Sequence, residues 1–154
     1  MPDLVHATAA AVALDPDGPL VGALLIGASG SGKSALALAL IEHCPFRRSA
    51  LVSDDAVLID AAGERLIARA PQVLSGRIEV RGYGPAPVRT APATGLLAAF
   101  ELARDAPRLP EPAMKAFAGA NLPCWPLAAG DPTGAACRLR VILRAILARN
   151  SGSA

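Results

Sequence analysis

Short continuous apolar runs separated by turn residues make up the first third of the chain. Positions 7–14 and 20–26 are predominantly apolar, and the segment 15–19 between them has the sequence Asp-Pro-Asp-Gly-Pro. Because these residue types favour turns, the order predicts two strands joined by a tight connection. The segment 35–41 is rich in alanine and leucine. It predicts a helix that ends before Pro45, since proline cannot continue one.

Shorter apolar segments continue through the middle of the chain. The segment 50–52 predicts a buried strand that leads into 53–55, which has the sequence Ser-Asp-Asp. The segments 57–60 and 65–68 flank a glycine-containing connection and predict a hairpin. Apolar and charged residues alternate over 78–81, which is typical of a half-exposed strand. Strands are therefore expected to dominate the region after the first helix.

The pattern is less regular in the second half of the chain. Over 96–102 the apolar run fits a strand and a helix equally well, because periodicity does not separate the two. We expect a proline-rich loop at 107–112 and one or two short strands within 113–126.

The last predicted element is an amphipathic helix over 134–148. Its apolar residues recur with the spacing of one helical face, namely Leu139, Ile142, Leu143, Ile146 and Leu147. The arginines are expected on a solvated basic face, namely Arg138, Arg140, Arg144 and Arg149. Residues 150–154 are expected to form a disordered tail, which leaves 1–149 as one domain.

Composition and charge narrow the classes of function for this α/β pattern. Hydrophobic residues occupy 53% of the 154 positions but aromatic residues only 3%, so the core should be aliphatic. No apolar run reaches the ~20 residues of a membrane span, and a net charge of +2 is too small to favour nucleic acid. Three widely spaced cysteines favour reduced thiols in a cytoplasmic protein, with Cys44 and Cys137 as apolar packing residues.

The strongest chemical signal lies between the second predicted strand and the first predicted helix. There the chain has the G-x-x-x-x-G-K-S pattern of a phosphate-binding P-loop, formed by Gly27, Ala28, Ser29, Gly30, Ser31, Gly32, Lys33 and Ser34. Glycines let backbone N–H groups surround phosphate oxygens, and the helix N-terminus adds partial positive charge. Lys33 is expected to reach the β- and γ-phosphates, and the Ser34 hydroxyl to bind Mg²⁺.

Two adjacent carboxylates follow the short strand at 50–52. In a parallel sheet the end of this strand would lie beside the P-loop, where ligands gather. Asp54 or Asp55 would then contact Mg²⁺ directly or through water, and the other would accept a proton from a hydroxyl group. The alternative is a solvated turn that only ends the strand.

Other polar residues have a functional and a structural interpretation side by side. Glu79 and Arg81 share one face of a strand. They would serve as a metal ligand and a phosphate or carboxylate contact, or else form a surface ion pair. His6 alone is more typical of a partly buried structural residue. Arg104 and Arg108 flank the proline-rich loop and would either stabilise a transition state or face solvent.

Together these pieces resemble the HPr kinase/phosphorylase family in its short single-domain form. The resemblance rests on five ordered blocks, at 5–9, 24–34, 51–57, 78–84 and 108–112. The third and fourth blocks, Leu-Val-Ser-Asp-Asp-Ala-Val and Ile-Glu-Val-Arg-Gly-Tyr-Gly, make the resemblance far more specific than the P-loop alone.

The resemblance implies a phosphoenolpyruvate-carboxykinase-like P-loop fold, a mixed sheet with packed helices. It implies an ATP- and Mg²⁺-dependent kinase that phosphorylates a serine of the phosphocarrier HPr, in some members with phosphorolysis in reverse, and a homo-oligomer. The site residues that it implies are Lys33 on the phosphates, Ser34 and Glu79 on Mg²⁺, Asp55 as proton acceptor, His6 in support of Asp55, and Arg108 as an active-site arginine.

Two other functions remain open from the sequence. A nucleotide-binding regulatory module with little or no transferase activity is suggested by the short chain and by the Gly-Pro-Ala-Pro segment at 84–87. A small-molecule kinase would need a mobile lid, which only the region 104–108 can supply.

Overall fold

A computed structural model describes residues 2–71, 76–103 and 113–152 of the chain. These residues form a mixed α/β fold with two helices, α1 (Lys33–Glu42) and α2 (Pro132–Gly152). The described strands are β1 (Asp3–Val5), β2 (Thr8–Val12), β3 (Val21–Ile26), β4 (Ala50–Ser53), β5 (Val57–Ala62), β6 (Arg65–Arg69), β7 (Arg77–Val80), β8 (Gly84–Pro87), β9 (Ala93–Ala103), β10 (Ala113–Phe117) and β11 (Ala120–Ala128).

Nine of these strands form one curled sheet, in which seven follow the order β1-β5-β6-β9-β3-β2-β4 and the other two are β10 and β11. The long strand β9 lies at its centre, parallel to β3 and to β11 and antiparallel to β6. β10 extends this sheet as a hairpin with β11, whereas β7 and β8 pair only with each other. β9 therefore joins the P-loop strand β3 to β6 and β11.

Apolar side chains cover both faces of the sheet. Alternate residues of β2 and β3 point to opposite sides, so Val12 and Leu25 pack beneath the two helices while Ala11 and Leu24 pack on the other side. The helical side receives Leu36 and Leu40 from α1 and Leu139 and Leu143 from α2. Burial on both faces explains why the central strands appear in the sequence as continuous apolar runs.

Most of the expected elements are present. The strands expected at 7–14, 20–26 and 50–52, the hairpin at 57–68 and the P-loop helix are confirmed. The undecided run at 96–102 is a strand, because it lies in the centre of the sheet with Phe100 on one face and Ala99 on the other. The Gly-Pro-Ala-Pro segment at 84–87, for which the sequence pattern predicts no strand, forms β8.

Three predictions about the last helix and the cysteines were wrong. α2 begins at Pro132 and extends to Gly152, so the last helical turn covers residues that were expected to start the tail. Arg140 is not solvated, since only 8% of it is exposed. Cys137 is exposed rather than packed in the core, whereas Cys44 is buried as expected.

Some expectations fall outside the described residues. These are the proline-rich loop at 107–112, the family block at 108–112, and Arg104 and Arg108 as site residues.

Within the described ranges, no helix combines the length and the apolar character needed to cross a membrane.

Candidate active site

The direction of three neighbouring strands determines where the candidate residues lie. β2 runs antiparallel to both β3 and β4, which flank it. The start of β2 therefore shares one edge of the sheet with the ends of β3 and β4. His6 precedes β2, the P-loop follows β3, and Asp54 and Asp55 follow β4, so residues far apart in sequence meet at this edge. The expected edge is correct, although β4 is separated from β3 by an antiparallel strand.

An irregularity in β4 places the two aspartates. Ala9 pairs with Ser53 and Ala10 pairs with Leu51, which leaves Val52 as an extra residue on β4. Such a bulge bends a strand and redirects the side chains that follow it. The Ser53 hydroxyl then donates a hydrogen bond to the Ala56 carbonyl and closes the turn that carries Asp54 and Asp55.

The P-loop has backbone conformations that require glycine. Gly27 has φ 149°, and a Cβ atom there would lie 2.7 Å from the Ser31 hydroxyl oxygen. Gly32 has φ 102° and occupies the N-cap position of α1. A larger residue at Gly27 would have to displace Ser31, so the loop closes tightly only with glycine at this position.

The N-terminus of α1 has no cap of its own. No side chain accepts a hydrogen bond from its first turn, and no acidic residue lies in that turn. The first amide groups of a helix have no partner within the helix, and they carry its partial positive charge. This end of α1 is therefore suited to an anion such as phosphate.

Lys33 lies at this helix end with its charge directed at the loop. Its Nζ donates hydrogen bonds to the carbonyl oxygens of Gly27 at 2.9 Å and Ala28 at 3.0 Å. The residue is only 6% exposed. A buried ammonium group among carbonyl groups is a ready partner for a phosphate anion that enters the loop.

Ser34 and Asp54 form a direct contact across the sheet edge. The Ser34 hydroxyl lies 2.9 Å and 3.1 Å from the two carboxylate oxygens of Asp54. A hydroxyl and a carboxylate are oxygen ligands of the type that Mg²⁺ prefers. The described residues contain no cluster of three or more His, Cys, Asp or Glu that could hold a metal. The donor set fits a Mg²⁺ ion that keeps most of its ligands as water and phosphate.

Thr8 is a site residue that the sequence did not reveal. Its hydroxyl donates a hydrogen bond to Asp54 Oδ1 at 2.9 Å, and the residue is fully buried. A threonine in an apolar strand is ordinary, so the local sequence carries no signal. Only the antiparallel pairing of β2 with β4 brings the two residues together.

Asp55 is exposed and held in an uncommon backbone conformation. Its φ of 67° lies in the left-handed region, which is sparsely occupied by residues other than glycine, asparagine and aspartate. The Ala7 amide donates to its carbonyl oxygen at 3.2 Å, and His6 Nδ1 lies 3.1 Å from the same oxygen. His6 thus contacts the main chain of Asp55, not its carboxylate.

A cavity of ≈ 690 Å³ connects these residues with the β7–β8 hairpin. Its lining residues are His6, Ser29, Gly30, Gly32, Lys33, Ser34, Ala35, Leu38, Asp55, Glu79, Val80, Arg81 and Gly82. The buried Ile78 anchors the hairpin in the core on the helical side. The ion pairs of the described residues are Arg69–Asp60 and Lys115–Glu101, so Glu79 and Arg81 do not form the alternative surface pair.

A family model and known relatives match parts of this chain, and the region that the model matches includes the P-loop, Asp55 and Glu79. The model described as the HPr Serine kinase C-terminal domain matches residues 11–92. An HPr kinase/phosphorylase of Chlorobium phaeobacteroides is 46% identical over 72 residues, and one of Mycoplasmopsis pulmonis is 42% identical over 64 residues. These matches cover 46% and 42% of this chain, but only 20% and 19% of the relatives.

The fold has a counterpart among solved structures. The structure described as the Hpr(Ser) kinase/phosphatase from Coxiella burnetii superposes with a TM-score of 0.79. It covers 98% of this chain and 94% of the other, at 22% sequence identity. At this identity the similarity concerns the fold.

Proposed function

Because the chain belongs to the family of the HPr Serine kinase C-terminal domain, we propose that it is an ATP-dependent protein-serine kinase that acts on an HPr-like phosphocarrier. The observation that carries this proposal is the single cavity shared by the P-loop, Asp55 and Glu79. A phosphate grip, a carboxylate and a further acidic residue at one place are the parts that phosphoryl transfer needs. We further propose that the mixed α/β fold is of the phosphoenolpyruvate-carboxykinase-like P-loop type.

The P-loop is proposed to hold the triphosphate of ATP. The uncapped amides of α1 would bind phosphate oxygens, and Lys33 would exchange its two loop carbonyl contacts for the β- and γ-phosphates. Leu38 and Val80 add apolar lining to the same cavity. The chain thereby supplies charge and orientation before the acceptor arrives.

Ser34, Asp54 and Glu79 are proposed to hold Mg²⁺ with the nucleotide. When bound, the metal neutralises charge that develops on the phosphates. The Ser34 hydroxyl and the Asp54 carboxylate already lie within hydrogen-bond distance of each other, and Ser34 and Glu79 both line the cavity. Asp54 would act directly or through water.

Asp55 is proposed to accept the proton of the serine hydroxyl. As the serine oxygen bonds to the γ-phosphorus, the bond to the β–γ bridging oxygen breaks, ADP leaves, and the proton passes to the carboxylate of Asp55. His6 and the Ala7 amide hold the main chain of Asp55. In the reverse, phosphorolytic direction, inorganic phosphate would attack phosphoserine, Asp55 would return the proton, and pyrophosphate would form.

The domain extent, the cellular location and the assembly of the protein are part of the same proposal. Residues 1–149, together with the end of α2 that continues to Gly152, would form the catalytic domain, in a cytoplasmic protein that uses neither nucleic acid nor membrane as a partner. Arg108 is kept as a proposed active-site arginine. A homo-oligomer is proposed from the family resemblance alone.

The substitution Asp55→Asn tests this function with the smallest structural change. Asparagine tolerates the left-handed conformation at this position, so the fold should persist. With labelled ATP and purified HPr, we expect transfer to serine to fall about 10²–10⁴-fold because the general base is lost. ATP affinity, measured by calorimetry, should not change.

Asp60→Asn is the matched control. Asp60 is a carboxylate five positions further along, paired at the surface with Arg69, and its substitution should leave transfer unchanged. If the wild type binds ATP but labels no serine of HPr, the kinase proposal is wrong. That outcome would favour the nucleotide-binding regulatory module.

A further inference from the structure

Thr8 lies behind the candidate metal site. It is the first residue of β2, it is fully buried, and it pairs with Leu25 of β3. Its hydroxyl donates to Asp54 Oδ1 at 2.9 Å, across 46 positions of sequence. Most buried hydroxyl groups have a hydrogen-bond partner, and the partner of this one is a carboxylate proposed to face a metal.

Two hydroxyl groups contact the carboxylate of Asp54. Thr8 donates to Oδ1, while the Ser34 hydroxyl lies 2.9 Å from Oδ1 and 3.1 Å from Oδ2. Asp54 itself is half-buried, and no ion pair holds it within the described residues. Its orientation therefore depends on two hydroxyl groups, of which only that of Thr8 is closed off from solvent.

We propose that Thr8 is a positioning residue that sets the carboxylate of Asp54 for metal–nucleotide binding. Because the Ser34 hydroxyl is itself a proposed metal ligand, it is expected to leave Asp54 when metal binds. The hydrogen bond from Thr8 would then be the contact that still fixes the carboxylate. This inference rests on the proposed function only in taking the bound species to be a divalent metal with a nucleotide.

Three variants separate this role from simple packing. Thr8→Val keeps the shape of the side chain and removes the hydroxyl. Thr8→Ser keeps the hydroxyl and removes a methyl group. Thr94→Val is the control, since Thr94 is also buried in a strand of the same sheet, and its hydroxyl makes no hydrogen bond among those of the described residues.

The measurement is binding of Mn²⁺ with ADP, followed by electron paramagnetic resonance, beside ADP binding in EDTA. Thr8→Val should weaken Mn²⁺ binding about 10–100-fold, as expected when the group that orients a metal ligand is lost. ADP binding in EDTA should not change. Thr8→Ser should restore Mn²⁺ binding to within about threefold of the wild type, and Thr94→Val should not alter it.

Several results would overturn the inference. The inference is wrong if Thr8→Val binds Mn²⁺ as tightly as the wild type, if Thr8→Ser binds it as weakly as Thr8→Val, or if the loss extends equally to ADP in EDTA. If circular dichroism shows that Thr8→Val does not fold, Thr8→Ala carries the same expectation without a methyl group against Asp54. All these readouts are binding constants. A failure of the kinase proposal would instead be seen as absent phosphoryl transfer to HPr, so the two failures can be distinguished.

Discussion

The two ends of α1 differ in whether the chain itself supplies partners for their polar groups. At the N-terminus, Gly32 provides no side-chain cap, and the first turn lines the cavity. At the C-terminus, the segment 43–49 turns back on itself, with the Arg47 amide donating to the Cys44 carbonyl at 3.2 Å and the Ser49 amide to Cys44 Sγ at 3.5 Å. One end is open to a ligand, and the other is closed by the chain's own atoms.

The closed end also joins neighbouring elements. The Ala13 amide donates to the Ser49 hydroxyl at 2.9 Å, and Arg140 of α2 donates to the Ala13 carbonyl at 2.7 Å. Arg48 donates to the carbonyls of Asp15 and Gly18 in the connection before β3. Substitutions at the open end should therefore change ligand binding, whereas those at the closed end should change stability.

Lys33→Met should give the largest effect and should act only at the open end. Without the ammonium group, the phosphates lose their main positive partner, so we expect transfer to fall by about 10³-fold. The midpoint of urea unfolding should stay close to that of the wild type, because methionine fills the space of the lysine stem. Lys115→Met, at an exposed lysine paired with Glu101, is the control and should not change transfer.

Arg140→Met should be the largest effect at the closed end. It leaves the Ala13 carbonyl without its donor in a buried region. Nη1 of Arg140 is buried and has no hydrogen-bond partner among the described residues, which offsets part of the loss. We expect the free energy of unfolding to fall by about 1–2 kcal/mol, measured by urea denaturation, with ATP affinity unchanged.

Arg144→Met provides the comparison on the same helix. Arg144 is exposed, and its substitution should change the free energy of unfolding by less than about 0.5 kcal/mol. Equal effects of the two arginine substitutions, or a loss of ATP affinity in Arg140→Met, would contradict the separation of the two ends.

Local patterns predicted much of the fold because the strands are short and their turns are clear. Periodicity failed for β9, since a strand buried on both faces shows no alternation. It also failed for β8, where Pro85 and Pro87 argued against a strand. Both prolines are exposed, and β8 pairs only with β7, so the lack of amide donors on its free edge costs no ladder hydrogen bond.

The open end was easier to predict than the closed end. The P-loop is contiguous, and its chemistry follows from its own residue types. Thr8, Arg140 and Ser49 act through partners 46, 127 and 36 positions away, so no local pattern marks them. The buried Arg140 was assigned to solvent because a charged residue beside an apolar stripe usually faces water.

Cys44 provides a further test of the closed end, through the pH dependence of stability. Burial raises the pKa of its thiol, but the Ser49 hydroxyl and the backbone amides of Arg48, Ser49 and Phe46 together outweigh burial and lower the pKa from 9.0 to about 6. The loop thereby gathers hydrogen-bond donors about the chain's own thiolate, as the open end is proposed to do about a phosphate. Cys124 lacks such a ring of donors, and burial raises the pKa of its thiol.

Since the folded-state pKa of Cys44 lies below the unfolded value of 9.0, the thiolate contributes fully above about pH 9, and its contribution is lost as pH falls through about 6. We expect the difference in unfolding free energy between the wild type and Cys44→Ala to shrink by about 1 kcal/mol from pH 7 to pH 6. Urea denaturation at each pH measures it, with Cys124→Ala as the control whose difference should stay constant. A constant difference for Cys44→Ala as well would mean that the closed end holds a neutral thiol, and only the open end of α1 would then be an anion site.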